Sequence, residues 1–328
     1  MKTNLIYKTF ASGSILLRGN ILLRGSILLP GNILLLGNIL LLGSLLLLAS
    51  CVKDDLHNTP HPDRGALLVT TDWSTRSSSA PLPDQYILRI GDTEQTVSGE
   101  TNPFAALLLP GNQRLLAYNQ PDGITLNGTV ATVNTLPDGT LTPTPSYLFS
   151  ATRELEIIPD DTLRVTVTMQ QRIRQLTLIL KLSPGDENRL SRLSATLTGI
   201  LPAIHLADGS PASDSGKSII PPFTLTDSDA SGTRRHATRA ATRSSALSAT
   251  VRLPGVMPGE TQLLTLSLTL SDGHTQTLTT DLTEALRNFG NTPEPLTLDA
   301  ALQLPTPTGI GGSITDWNIV DNGDVDIH

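Results

Sequence analysis

Leu48-Ala49-Ser50-Cys51 is the one stretch whose residue types and spacing prescribe a covalent reaction. Two small residues before a cysteine, at the end of a long uncharged apolar run, form a lipobox. The cysteine sulfur is diacylated, a signal peptidase cuts before it, and the new α-amino group is acylated in turn. Cys51 is the only cysteine of the 328 residues, so its use as the lipidation site leaves the mature chain without disulfide or thiol chemistry.

No other constellation reaches that standard. The six histidines at 57, 61, 205, 236, 274 and 328 form no set with metal-ligand spacing,. His57 and His61 are four apart but lie in a proline-bearing stretch rather than a helix. There is no Gly-x-Ser-x-Gly elbow, phosphate-binding loop or dinucleotide fingerprint,. Asp54-Asp55 and Asp160-Asp161 are adjacent pairs, and neighbours on a strand point to opposite faces,. Trp73 and Trp317 read as core pegs in preference to sugar platforms. These residues predict no enzyme, no cofactor and no metal site.

The elements around Cys51 divide the chain. Residues 1–50 are a lipoprotein signal peptide: Lys2, Lys8, Arg18 and Arg24 form the basic start, and six leucine-rich hexapeptides begin at Gly13, Gly19, Gly25, Gly31, Gly37 and Gly43. Residues 51–64 form a lipidated tether, extended because prolines 60 and 62 exclude a helix,. Lys53-Asp54-Asp55 within it resembles the export signal that sends lipoproteins of Bacteroides-like bacteria to the outer leaflet. Because the leader holds four basic residues and no acidic one, 19 Lys and Arg face 30 Asp and Glu in the mature chain, a formal charge of −11. A nucleic-acid partner is disfavoured, since phosphate binding needs concentrated positive charge.

Thr, Leu, Ser, Pro and Gly dominate the mature chain and aromatics make up only 3%, a composition of short strands and turns. Strands are expected over 66–73, 86–90, 94–97, 113–119, 123–133, 147–156 and 162–169, at the spacing of a β-sandwich. A second unit should start near Gln170 with a strand carrying Leu176, Leu178, Leu180 and Leu182 on one face,. A short helix is expected over 186–193, strands over 195–200, 249–253, 262–270, 274–280 and 296–304, and a capped helix from Asp281 to Gly290. Residues 207–246 read as a long polar loop, with Arg234, Arg235, Arg239 and Arg243 as a solvated basic cluster. Asn322-Gly323 predicts a terminal hairpin. The expected fold is therefore all-β, with an N-terminal sandwich over 65–169 and a C-terminal one over 170–328.

Several of these segments carry a resemblance. They are the lipidated cysteine with its basic-acidic tether, the strand ending in Asp72-Trp73, and Leu109-Pro110-Gly111 before Leu115-Leu116-Ala117-Tyr118-Asn119. To them are added Gln170-Gln171-Arg172 between two strands, Ala195-Thr196-Leu197-Thr198-Gly199-Ile200, and Ile314-Thr315-Asp316-Trp317. Together they resemble the fimbrillin-associated anchor proteins of type V fimbriae, the minor-fimbrium anchor family, over nearly all of residues 51–328. The resemblance implies two tandem transthyretin-like (Ig-like) sandwiches, a lipid anchor in the outer membrane, and a role in holding or terminating a filament of fimbrial subunits. Asp161-Thr162-Leu163 resembles the O-glycosylation motif of such bacteria.

Shaft subunits of that kind lose their first strand to a trypsin-like protease, and Arg76 is the only arginine in the polar loop behind residues 66–73. That loop reads as mobile. The terminal hairpin would place Val320 and Val325, and Asn318 and Ile327, on one face and Trp317 and Ile319 on the other. It is the expected subunit contact, by β-strand addition. A surface lipoprotein binding a glycan or host protein is the alternative reading.

Overall fold

The computed structural model describes residues 63–228, 244–306 and 311–320. The first half of the chain contributes β1 (Ala66–Asp72), β2 (Tyr86–Ile90), β3 (Thr93–Val97), β4 (Thr101–Pro103), β5 (Gly111–Tyr118), β6 (Ile124–Asn127), β7 (Val130–Val133), β8 (Phe149–Ile157), β9 (Thr162–Thr168) and β10 (Gln170–Gln171). The second contributes β11 (Arg174–Leu182), β12 (Leu190–Ile200), β13 (Ala203–His205), β14 (Lys217–Ile219), β15 (Thr224–Ser228), β16 (Ser244–Leu253), β17 (Leu263–Leu270) and β18 (Thr275–Asp281). One short helix, α1 (Thr283–Leu286), precedes β19 (Leu296–Gln303), β20 (Ser313–Ile314) and β21 (Asn318–Ile319). The fold is all-β, as the composition and spacing predict.

Residues 66–171 supply two sheets, ordered β4-β1-β9 and β10-β8-β5-β2-β3. Residues 174–319 supply two more, β15-β16-β11-β19 with β20 and β21 on the far side of β19, and β14-β12-β17-β18. A topological rule repeats. The first strand of each set lies parallel to a strand near the end of that set: β1 against β9 from Ala66↔Thr162 to Asp72↔Thr168, and β11 against β19 from Leu176↔Leu296 to Leu182↔Leu302.

Period-two patterning explains which face each strand buries. Leu67, Val69 and Thr71 of β1 point inward, as do Leu176, Leu178, Leu180 and Leu182 of β11 and Leu264, Leu266, Leu268 and Leu270 of β17,. Each such leucine contributes about 1.5–3 kcal/mol of transfer free energy. A fifth sheet, β13-β7-β6, joins strands from both halves. Arg252 adds a further link: its N–H donates to the Pro143 carbonyl at 2.8 Å and its guanidinium lies 4.6 Å from the centre of the Tyr147 ring. The described residues accordingly belong to one compact unit.

Several expectations need correction. The single strand over 123–133 is the hairpin β6–β7, because Gly128 adopts φ 63° and closes a two-residue turn,. The helix over 186–193 is only one 3-10 turn, Asp186–Asn188; from Leu190 the chain is already strand, paired with β17 and resting Leu190 and Leu193 on the core. The polar stretch 207–246 contains β14, β15 and the start of β16. Its polar composition concealed a ladder in which Ser245, Ala246 and Leu247 are buried. The basic cluster at 234–243 lies outside the described residues. No described helix is long and apolar enough to cross a membrane.

Candidate assembly surface

β1 is paired along both edges. β9 runs beside all seven residues, and β4 meets it antiparallel at Leu68↔Pro103, Val69↔Asn102 and Thr70↔Thr101. Beyond its end, Trp73 stacks edge-on against Phe149 (centroids 5.4 Å apart, planes at 80°) and Tyr86 (5.8 Å, 74°), bridging the two sheets,. The indole N–H donates to Thr71 Oγ1 at 3.0 Å. Trp73 is thus a core peg, as its sequence context suggests.

The loop carrying Arg76 is tied down. Thr75 Oγ1 donates to the Met169 carbonyl at 2.8 Å, and the Ser77 N–H donates to Gln171 Oε1 at 3.0 Å. Arg76 itself is half-buried, with its guanidinium donating to the carbonyls of Ser77 and Ala80. The sequence suggested an open, mobile loop; instead Ser77 is fully buried. Asp72 stands at the entrance to the turn. The Ser74 backbone N–H and hydroxyl, with Thr168 Oγ1 contributing, hold its carboxyl below the usual carboxylate range.

Gln171 and Arg172 form the junction between the halves. The Gln171 amide donates to the carbonyls of Ile173 and Pro293 at 3.0 and 3.2 Å while its oxygen receives Ser77. Arg172 donates to Ser150 Oγ at 2.8 Å and the Asp208 carbonyl at 2.9 Å. Burial lowers the pKa of Arg172, opposed by the Asp208 charge. Gln170-Gln171-Arg172 stood out in the sequence, but its bonding role did not. A buried glutamine has no periodic signature.

At the C-terminal end, residues 313–320 run along the outer edge of β19. Leu302↔Ile314 and Asp299↔Asn318 differ by three residues on β19 and four on the facing segment, which marks a one-residue bulge,. The bulge breaks the two-residue period, so Trp317 and Ile319 do not share a face as expected. Trp317 packs on the core and donates to Thr280 Oγ1 at 3.2 Å, whereas Ile319 is 66% exposed. Val320 is partly buried, its N–H donating to the Thr297 carbonyl at 2.9 Å. Val325 and Ile327 lie outside the described residues, as do Leu48, Ala49, Ser50, Cys51, Lys53, Asp54 and Asp55.

Two open clefts accompany these edges. One, of about 310 Å³, is lined by Leu82, Asn119, Gln120 and Tyr147 among others. The other, of about 430 Å³, brings Phe289, Asn288, Asn291, Glu284 and Glu294 beside Ile319. Neither gathers ionisable groups poised for acid–base work. Among the described residues, no three His, Asp or Glu side chains cluster as a metal site.

The family model for fimbrillin-A associated anchor proteins Mfa1 and Mfa2 matches residues 84–323. The chain belongs to this anchor family. It is a family of structural fimbrial proteins and not of enzymes, and it places the chain among cell-surface, fimbrium-associated, adhesin-like proteins. The fold is similar to that of the fimbrial anchor protein Mfa2 from Porphyromonas gingivalis, at 11% identity and TM-score 0.51, covering 78% of this chain and 97% of that one. It is also similar to a candidate adhesin from Bacteroides thetaiotaomicron, at 15% identity and TM-score 0.56, covering 80% and 97%. No curated protein matches the sequence significantly.

Proposed function

We propose that this member of the anchor family is held in the outer membrane by acyl chains on Cys51, faces the cell exterior, and fastens a fimbrial filament by β-strand addition. The observation that carries the reading is the state of β1: paired on both edges, and followed by a loop whose arginine is bonded in place. A shaft subunit must give up that strand. An anchor must keep it, because cutting at Arg76 would separate the folded protein from its lipid.

The acceptor for strand addition is then an edge left open with β1 in place. Among the described residues β9 pairs only with β1, and Thr-Leu-Arg-Val-Thr-Val-Thr has no proline and a single charge, Arg164, to discourage a new neighbour,. Leu163 and Val165, half-buried on its core side, would gain cover. Ile319, 66% exposed beside β19, is the candidate subunit contact in the C-terminal segment.

We read the half over 65–169 as an N-terminal sandwich that carries the anchor function and the half over 170–328 as a C-terminal sandwich that extends it. The test is the mature N-terminus of surface-located protein, read by mass spectrometry. A chain beginning at acylated Cys51 is expected; a terminus at Ser77 would make the protein a polymerising subunit. The alternative, an adhesin for a glycan or host protein, draws on the cleft at Phe289, where an aromatic ring sits among amide and carboxylate groups,.

A further inference from the structure

Three of the exposed large apolar side chains collect at one place in the fold. Gly65 pairs with Leu108 through two backbone bonds of 3.0 and 2.8 Å. Leu108 is buried, so by alternation its neighbours face outward: Leu107 is 48% exposed and Leu109 58%,. On the other side of Gly65 lies the end of β8. A Cβ on Gly65 would sit 2.5 Å from the Ile158 carbonyl, and Ala66 N–H donates to the Asp161 carbonyl at 2.8 Å. Ile157 is buried, and Ile158 beside it is 54% exposed. The last rung of the β5–β8 ladder is Gly111↔Ile157, so Leu109-Pro110 and Ile158-Pro159 leave that ladder side by side.

We infer that this apolar tip of Leu107, Leu109 and Ile158 rests on the lipid bilayer. The inference rests on the reading of Cys51 as the acylated residue. Contiguous exposed apolar surface on a soluble domain marks a contact, and here its position names the contact. The described chain begins at Asp63, two residues before the glycine that the tip surrounds. Asp63 lies twelve residue steps beyond Cys51, at most ~43 Å of extended chain at about 3.6 Å per step,. The end of the domain that carries the tether is therefore the end brought to the membrane. Branched side chains and prolines there can enter the headgroup boundary, as interfacial segments do. Arg64, exposed beside them and donating to the Leu107 carbonyl, is placed to meet lipid phosphates.

With Cys51 acylated, an introduced cysteine is the only free thiol. Leu109→Cys and Ile158→Cys, labelled with an environment-sensitive fluorophore, serve as probes on mature lipidated protein in phosphatidylethanolamine–phosphatidylglycerol vesicles. Leu82→Cys is the control: it is 53% exposed and lines the cleft beside Asn119, the residue that follows the opposite end of β5. Quenching by lipid-borne nitroxides should be at least two-fold stronger at 109 and 158 than at 82. Equal quenching at all three sites overturns the inference. So does quenching that disappears on dilution of protein in the bilayer, which would assign the tip to a second copy. Mass spectrometry of the N-terminus separates the two readings: acylated protein with an unquenched tip sinks only this inference, whereas an unacylated N-terminus removes the lipid anchor and the inference with it.

Discussion

The backbone N–H of Ser77 and the side-chain oxygen of Gln171 lie 3.0 Å apart, and that bond fastens the loop behind the first strand to the junction between the halves. Gln171→Ala leaves a buried N–H without its acceptor and frees the Pro293 carbonyl. The expected loss is about 1–3 kcal/mol, seen as a lower urea midpoint, together with faster trypsin cleavage at Arg76. An unchanged midpoint and cleavage rate would contradict the role given to this residue.

Trp73 holds the two N-terminal sheets together through two edge-to-face contacts. Trp73→Ala should cost about 3–5 kcal/mol, and Trp73→Phe distinctly less, because it keeps a ring against Phe149. Thermal unfolding of the two variants checks the order.

Ile319 is exposed, so Ile319→Asp should change folding stability by no more than about 0.5 kcal/mol. It should nevertheless weaken filament attachment, counted as fimbriae retained per cell after shearing. Normal retention in a correctly folded variant removes Ile319 from the contact.

Cys51→Ser should abolish metabolic labelling with palmitate and leave the uncleaved precursor in the inner membrane. Label incorporated into the serine variant, or none into the natural chain, refutes the lipidation.

Among the described residues five carboxylates sit below their ordinary value of 3.8, among them Asp72 through the Ser74 N–H and hydroxyl, Asp208 through the Ser210 hydroxyl and N–H, and Asp281 through the Thr283 hydroxyl and N–H. A depressed folded-state pKa means that the unfolded chain binds the proton more readily. The stabilisation is complete above the unfolded value near 4 and is lost as pH falls through the lower folded value. The urea midpoint should therefore hold from pH 7 to 5 and decline below about pH 4. Asp72→Asn should flatten part of that decline; an identical slope would exclude Asp72 as a contributor.

The strands most legible in the sequence were those whose leucines alternate: β2 begins and ends where Tyr86, Leu88 and Ile90 place it, and the four inward leucines of β11 are all buried. The elements that escaped are those made by long-range pairing of polar residues. Thr224–Ser228 is strand because it faces Ser244–Ser248, a partner that no local pattern announces. Gln171 and Ser77 escaped for the same reason, since their burial follows from tertiary bonds between residues 94 apart. In the C-terminal segment the apolar types were visible, but the bulge that turns Trp317 inward was not.

The parallel pairing of β1 with β9 gives the molecule a mechanical axis. Tension entering at Asp63 and leaving past Thr168 pulls β1 and β9 in opposite directions along their lengths. It loads the rungs from Ala66↔Thr162 to Asp72↔Thr168 together, instead of peeling them one by one,. The same shear geometry recurs between β11 and β19. A filament dragged by flow would thus strain each half of its holder in the direction in which a sheet yields last.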